Sequence, residues 1–319
     1  MKYALMSLTI GSELQVLKPS LFQLQQLERM GYEGPTPTVD EMYAFFQSKG
    51  LPMKNGTMSF RDMVKFAADN GFDGLDVMCF NFDVDPAEAK KAFEDYGITF
   101  ASVGLVAPFT AAATEEQFAA TMANTKDIIS RAAEAGCESI MMMPSTYQPY
   151  EGATREQAYQ LIVRALKELN AFCKEKKICM HTETLESLAI PLGSIGDMKR
   201  LFTDIPDLLY THDTGNCLVA MENPVDFYEE FKDRVAYVHF KDFKYSDNDK
   251  GNMTSTGKHL EKVHLGDGLL DFKAQLKALK RDNYNGFISL EGTRPGSSIL
   301  ESAANALTYF KKLEAELDD

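Results

Sequence analysis

The 319-residue chain has no tryptophan, no CxxC pair, no low-complexity tract and no apolar run near the roughly 20 residues that span a bilayer. The last absence argues against a membrane as partner. Cys79, Cys137, Cys173, Cys179 and Cys217 lack the paired spacing of a zinc knuckle or a disulfide framework, and read as reduced core cysteines of a cytoplasmic protein. Positive charge is short too: 33 basic against 47 acidic side chains give a formal charge of −14. Such a surface repels phosphate backbones, so nucleic acid is not expected as a general partner. No GxGxxG follows any apolar run, which removes the usual first turn of an open, doubly wound dinucleotide-binding sheet. The opening MKYALMSLTIGSELQV carries no small-residue cleavage pattern, and reads as a first core strand and not a signal peptide.

What is present is ordinary globular composition, 45% hydrophobic and 25% charged, in a regular arrangement. Eight short apolar runs (YALMSLTI, GLDVMCF, ITFASVGLV, SIMMMP, ICMHTE, LLYTHD, VAYVHF and GFISLE) alternate for the most part with segments of helical periodicity. Near-continuous apolar strands are those of a parallel sheet covered on both faces. Eight β/α units in a chain of this length predict one (β/α)8 barrel domain over residues 1–319. Two insertions interrupt it, residues 11–55 after the first strand and residues 241–270 after the seventh. Connections that long tend to be lids or binding loops.

The last four runs end in CMHTE, YTHD, YVHFKD and SLE, at the barrel face where such folds carry their chemistry. All five histidines (His181, His212, His239, His259, His264) lie between the fifth strand and the end of the second insertion. Glu183, Asp213, His239 and Glu291 come from four successive strands and can converge on one point. Taken singly, a Glu after a strand is usually a helix cap or a solvated residue, and a buried His is usually a hydrogen-bonded core residue. Four together at neighbouring strand ends point to a metal. Three carboxylates and an imidazole form a hard, oxygen-rich set for one divalent ion, Mn²⁺ foremost, with Mg²⁺, Co²⁺ or Zn²⁺ also suited. Without a cation the carboxylates repel, and one or more must take up a proton.

LLYTHDTGN resembles the DTGH stretch, and RVAYVHFKD the HLKD stretch, of the xylose-isomerase-like barrels, the sugar isomerases and epimerases that include tagatose and psicose epimerases and inosose dehydratase. HLGDGLLDF is similar to their glycine-rich segment before the seventh helix, and GFISLEG to their last strand. The resemblance implies a divalent cation held by Glu, Asp, His and a second Glu. Asp213, His239 and Glu291 match the last three; the first falls on Glu183, with Glu186 as second choice and His181 as base or ligand. Asn216 stands where relatives carry the substrate-touching histidine of DTGH. His212, just before Asp213, should point away from the site by strand alternation.

The chemistry so implied is isomerisation or epimerisation of a sugar or keto-sugar through an enediolate, with Glu183 and Glu291 exchanging protons on its two faces. His181, on the same side of its strand as Glu183, is a candidate base near neutral pH. Such a base also suits β-elimination from a keto-cyclitol or a 3-oxo-glycoside, C-glycosides included, which is the second reading. Lys241 is a candidate donor to a substrate oxygen, oriented by Asp242; Glu186 is a further substrate contact, and His264 with Asp267 could fold over as a lid. A DNA-repair endonuclease on the same barrel would need more histidines and a basic groove. A third class is a non-catalytic barrel subunit of a complex, kept open by Asn216 and MHTETLE. The expected partner is a small carbohydrate, and a homo-oligomer or a hetero-complex also stays open.

Overall fold

The computed structural model describes residues 1–51, 53–145, 149–248 and 250–317; Pro52 and Asp249, within the two expected insertions, lie outside the described residues. In chain order the elements are β1 (Lys2–Met6), α1 (Leu21–Arg29), α2 (Val39–Ser48), α3 (Phe60–Asp69), β2 (Gly74–Met78), α4 (Pro86–Tyr96), β3 (Thr99–Val106), α5 (Glu115–Glu134), β4 (Ser139–Met143), α6 (Arg155–Glu175), β5 (Cys179–Glu183), α7 (Ile195–Asp204) and β6 (Leu209–Asp213). Then follow α8 (Pro224–Phe231), β7 (Val235–Phe240), β8 (Phe243–Tyr245), β9 (Asn252–Met253), β10 (His259–Lys262), α9 (Phe272–Arg281), β11 (Phe287–Leu290) and α10 (Ile299–Ala315). Strands β1 to β7 and β11 close into a parallel barrel, β11 sealing it between β7 and β1. This is the (β/α)8 architecture that the alternating runs predicted.

Local sequence sets the helix starts. Ser20, Thr38, Ser59, Thr114 and Thr154 each cap a helix, and each donates its own backbone N–H to the side-chain oxygen of the Gln, Glu or Asp three residues on. Asp85 caps α4, whose end is set by Gly97 in the left-handed conformation. The outward faces of the strands and the inner faces of the helices form the main apolar core.

The inside of the barrel is different. Asp76, Ser139, His181, Thr211, Tyr237, His239 and Ser289 are all buried, on strands where branched aliphatic residues would be usual. His181 stacks on Tyr237 with ring centroids 5.1 Å apart, and Tyr237 meets His239 edge-on at 5.5 Å. This polar column stands directly beneath the strand ends.

Both long connections carry structure of their own. Residues 11–59 contain α1 and α2, of which the sequence indicated only the second. Val16, Leu27, Met42, Tyr43 and Phe46 form a small core separate from the barrel's. The connection after β7, expected as a loop, holds an antiparallel sheet in the order β8-β10-β9. Its return path is fastened by Asp242, whose carboxylate accepts from the amides of Phe243, Gly266, Gly268 and Leu270 at 2.9–3.3 Å. A Cβ at Gly268 would fall 2.2 Å from that carboxylate, so only glycine allows the approach. Asp242 therefore anchors this loop and does not orient Lys241.

His212, on the outer face of β6, is buried between barrel and helices, with Nε2 3.1 Å from Gln275 Oε1 on α9. Burial lowers its pKa to about 4, so the folded state needs the neutral ring. Its contribution to stability is therefore complete above the unfolded value near 6.5 and is lost as pH falls towards 4. Relative to a His212→Gln variant, the wild type should lose on the order of 2 kcal/mol between pH 7 and pH 5. Urea unfolding of both proteins at the two pH values measures this, and parallel profiles would contradict it.

Candidate metal centre

Strand alternation turns the last inward residue of β5, β6 and β7, and the residue after β11, towards one point above the polar column. Glu183, Asp213 and His239 present ligand atoms that all lie within 4.8 Å of one another. His239 Nδ1 is 3.3 Å from Glu183 Oε2, 3.9 Å from Asp213 Oδ2 and 3.9 Å from Glu291 Oε2. Neighbouring bonds aim these atoms. Asp213 Oδ1 accepts from the amides of Gly215 and Asn216 at 2.8 and 2.9 Å, which leaves Oδ2 facing inward. His239 Nε2 lies 2.9 Å from Asp76 Oδ2, which turns Nδ1 towards the carboxylates.

Glu183 Oε2, Asp213 Oδ2 and His239 Nδ1 are buried and make no hydrogen bond. A single such atom costs free energy. Three converging on one point, drawn from two carboxylates and an imidazole, form a donor set that a divalent cation fits. Asp76 supplies the carboxylate behind the histidine that metal-binding imidazoles usually have.

The electrostatics agree. Burial pushes the Glu183 carboxyl up to about 7, only partly opposed by His239. Burial likewise raises Asp213. For His239 burial favours the neutral ring, but Asp76 and Glu183 outweigh it and drive the pKa well above the ordinary value. Without a dication, protons offset the crowding of negative charge. Lys241 answers the rest: its buried ammonium lies 2.6 Å from Glu186, 2.9 Å from Glu291 and 3.3 Å from Asp213. Burial opposes that charge, and the carboxylates still raise its pKa well above the usual value. Lys262 adds contacts to Glu291 at 3.0 Å and to Glu186 at 3.4 Å.

The expected site residues separate into three groups. Glu183, Asp213 and His239 meet as described; Glu291 lies 3.9 Å from His239 but outside their 4.8 Å group, held by Lys241 and Lys262. Lys241, Asn216 and Glu186 border them: Asn216 donates to Thr184 O at 2.7 Å and its Oδ1 lies 3.3 Å from Lys241 Nζ. Glu186 is occupied by Lys241, Lys262 and Asn252 Nδ2 at 2.7 Å, and stands apart from the Glu183–Asp213–His239 group. His181 is not brought to the site, and His264 borders an adjoining cavity that shares Lys241, Lys262 and Glu291 with it.

The expectation that His181 acts as a base is corrected by its surroundings. Its ring nitrogens lie 2.5 Å from Thr211 Oγ1 and 3.0 Å from Ser139 Oγ within the barrel, and burial lowers its pKa to about 3. His264 is exposed and bonds Thr293, and Asp267 pairs with Arg294 at 2.5 Å, so neither covers the cavity above the carboxylates. Sequence reasoning missed Asp76 and Lys262. A lone Asp inside the apolar run GLDVMCF was the available signal for the first, because a buried carboxylate needs a partner. Nothing local marked the second.

A cavity of about 610 Å³ opens above the cluster. Its floor carries Glu183, Glu186, Asn216, Lys241, Lys262 and Glu291, and α1, α2 and the segment after them roof it.

Replacing Asp76 by Asn keeps the size of the side chain but removes the charge behind His239. Divalent-ion affinity should fall 10- to 100-fold, the usual range for a lost outer carboxylate. Titration calorimetry with Mn²⁺ on both proteins checks this; equal affinities would remove Asp76 from the account.

Residues 64–313 match the family described as xylose isomerase-like TIM barrel. Among curated proteins, an inosose dehydratase of Lacticaseibacillus casei is 26% identical over 127 residues, which cover 38% of this chain and 41% of that enzyme. The matched stretch is thus less than half the length of that relative. Among solved structures, an IolI protein with a bound zinc atom superposes with a TM-score of 0.68 at 14% identity, covering 99% of both chains. The 3-keto-D-glucoside 4-epimerase of E. coli gives 0.65 at 15% identity, covering 80% of this chain and 95% of its own. At such identities the structural likeness speaks for the fold alone. The family match covers most of the sequence and its members are enzymes: the chain belongs to the xylose isomerase-like TIM barrel family.

Proposed function

We propose that this protein is a divalent-metal-dependent enzyme that moves a proton next to the carbonyl of a keto-sugar, with epimerisation or isomerisation as its reaction. The observation that carries the reading is the convergence of three buried donor atoms that make no hydrogen bond, Glu183 Oε2, Asp213 Oδ2 and His239 Nδ1, beside a cavity that Glu183 lines. Glu183, Asp213, His239 and Glu291 would hold the ion, Mn²⁺ being the first choice for so oxygen-rich a set. A cation bound there supplies positive charge that acidifies the C–H beside the carbonyl.

The side chains have distinct tasks. Lys241 and Lys262 offer ammonium donors to substrate hydroxyls, and Asn216 fixes the position of Lys241. Glu183, from β5, and Glu291, after β11, flank Asp213 and His239. One carboxylate takes the proton at carbon and the other returns a proton to the opposite face of the planar enediolate. A positioned acid or base of this kind contributes about 10²–10⁴-fold in rate. The apolar roof limits water at the reacting carbon.

β-Elimination begins with the same proton loss, and the buried Lys241 ammonium favours it as a second reading, because it could protonate a departing hydroxyl. The likeness to inosose dehydratase supports this branch as well. Cytoplasmic residence and a homo- or hetero-oligomeric state belong to the proposal equally.

Incubating the Mn²⁺-loaded protein with keto-hexoses and keto-cyclitols in D₂O separates the branches. Epimerisation should give deuterium at one carbon with the sugar skeleton intact, and elimination a new enone absorbance near the ultraviolet edge. Glu183→Gln should lower either rate by at least about 10²-fold. Neither exchange nor enone with any keto substrate would move the reading to a non-catalytic barrel subunit.

A further inference from the structure

The cavity has two chemically opposed halves. Its floor is ionic, but the wall above it is formed by Met6, Met30, Met78, Met143, Phe46 and Phe80 with further aliphatic neighbours. Of the five methionines that line it, Met53 follows α2 and the others come from β1, the end of α1, β2 and β4, so barrel and roof contribute to one continuous surface. Room for it is made within the barrel: a Cβ at Gly104 would stand 2.6 Å from Met78 Sδ. Phe46 and Met30 reach the cavity from the roof's own small core, whereas Met6, Met78 and Met143 reach it from the barrel. Polar groups on this wall are few, and the side-chain oxygen of Gln23 already accepts from Ser20 at the start of α1.

A free monosaccharide presents hydroxyls on nearly every edge. Its polar edge could be met by the floor, but the opposite edge would lie against thioethers and phenyl rings and lose its hydrogen bonds to water. A volume of about 610 Å³ is in the range taken by drug-sized ligands and exceeds one sugar ring. Methionine sulfur is soft, adaptable and favourable against aromatic rings.

We infer that the substrate is a keto-sugar unit bearing an aromatic substituent, with the sugar oxygens on the ionic floor and the ring against the methionine wall. This rests on the reading of the floor as a sugar site, and it adds the chemical class of the group attached to the sugar.

Binding without turnover tests it. Phenyl β-D-glucopyranoside and methyl β-D-glucopyranoside, which lack the reactive carbonyl, are titrated calorimetrically into the Mn²⁺-loaded protein. The phenyl compound should bind at least about tenfold tighter. Met143→Gln, at the barrel mouth, and Met30→Gln, at the half-exposed end of α1, should each cut that ratio to below about threefold. The Met30 variant keeps the test valid if the Met143 variant fails to fold. A wild-type ratio under about twofold, a ratio unchanged in the variants, or no binding of either compound overturns the inference. Tight phenyl binding without proton exchange would fail the proposed reaction and keep the aromatic subsite. Exchange on free keto-sugars without phenyl preference would do the reverse.

Discussion

Negative charge with little access to water is the constraint around which this molecule is organised. Glu183, Asp213, Glu291 and Glu186 face two ammonium groups, Lys241 and Lys262, at the end of the barrel. With His239 neutral, these four carboxylates and two ammonium groups leave two uncompensated negative charges, apart from the Asp76 carboxylate behind the ring. One dication balances them. In its absence protonation must do so, and both the raised Glu183 carboxyl and the raised His239 imidazole express that demand. Carboxylates held this way are costly to the fold and useful to a ligand, because the bound cation recovers what the empty arrangement forfeits.

The surrounding structure reads as support for that arrangement. Asp76 reaches His239 from β2, across the barrel, so the second strand takes part in a site built on the last four. The polar column of Ser139, His181, Thr211 and Tyr237 fills the barrel beneath it with side chains that bond or stack on one another. Asp242 binds four amides of the returning loop and so fixes the segment that carries Lys262 over the floor. Each of these residues acts on the site through another side chain.

Most of the barrel was legible because its signals are local: apolar runs of strand length, helical periodicity and capping residues. The converging site residues were legible for a related reason, since strand alternation fixes where Glu183, Asp213 and His239, and Glu291 just past β11, must point. His181 went wrong where that rule runs out. Glu183 and His181 do face the same side of β5, but two residues along a strand place the histidine one layer deeper, among hydroxyls and not beside substrate. His264 and Asp242 depended on how a thirty-residue connection folds back, which long-range contacts decide. The antiparallel sheet of β8, β9 and β10 was hidden likewise, its strands being two to four residues long. Asp76 was visible as an oddity in its strand, but its partner lies 163 positions away.

The central claim is that the orphaned donor atoms at the strand ends form a cation site. Crystals grown with Mn²⁺, with diffraction recorded at a wavelength where manganese scatters anomalously, test it most directly. The account predicts one anomalous peak bonded to Glu183, Asp213, His239 and Glu291, with the Lys241 ammonium withdrawn from Asp213. A peak elsewhere, or no peak with Lys241 still held between Asp213 and Glu291, would contradict it.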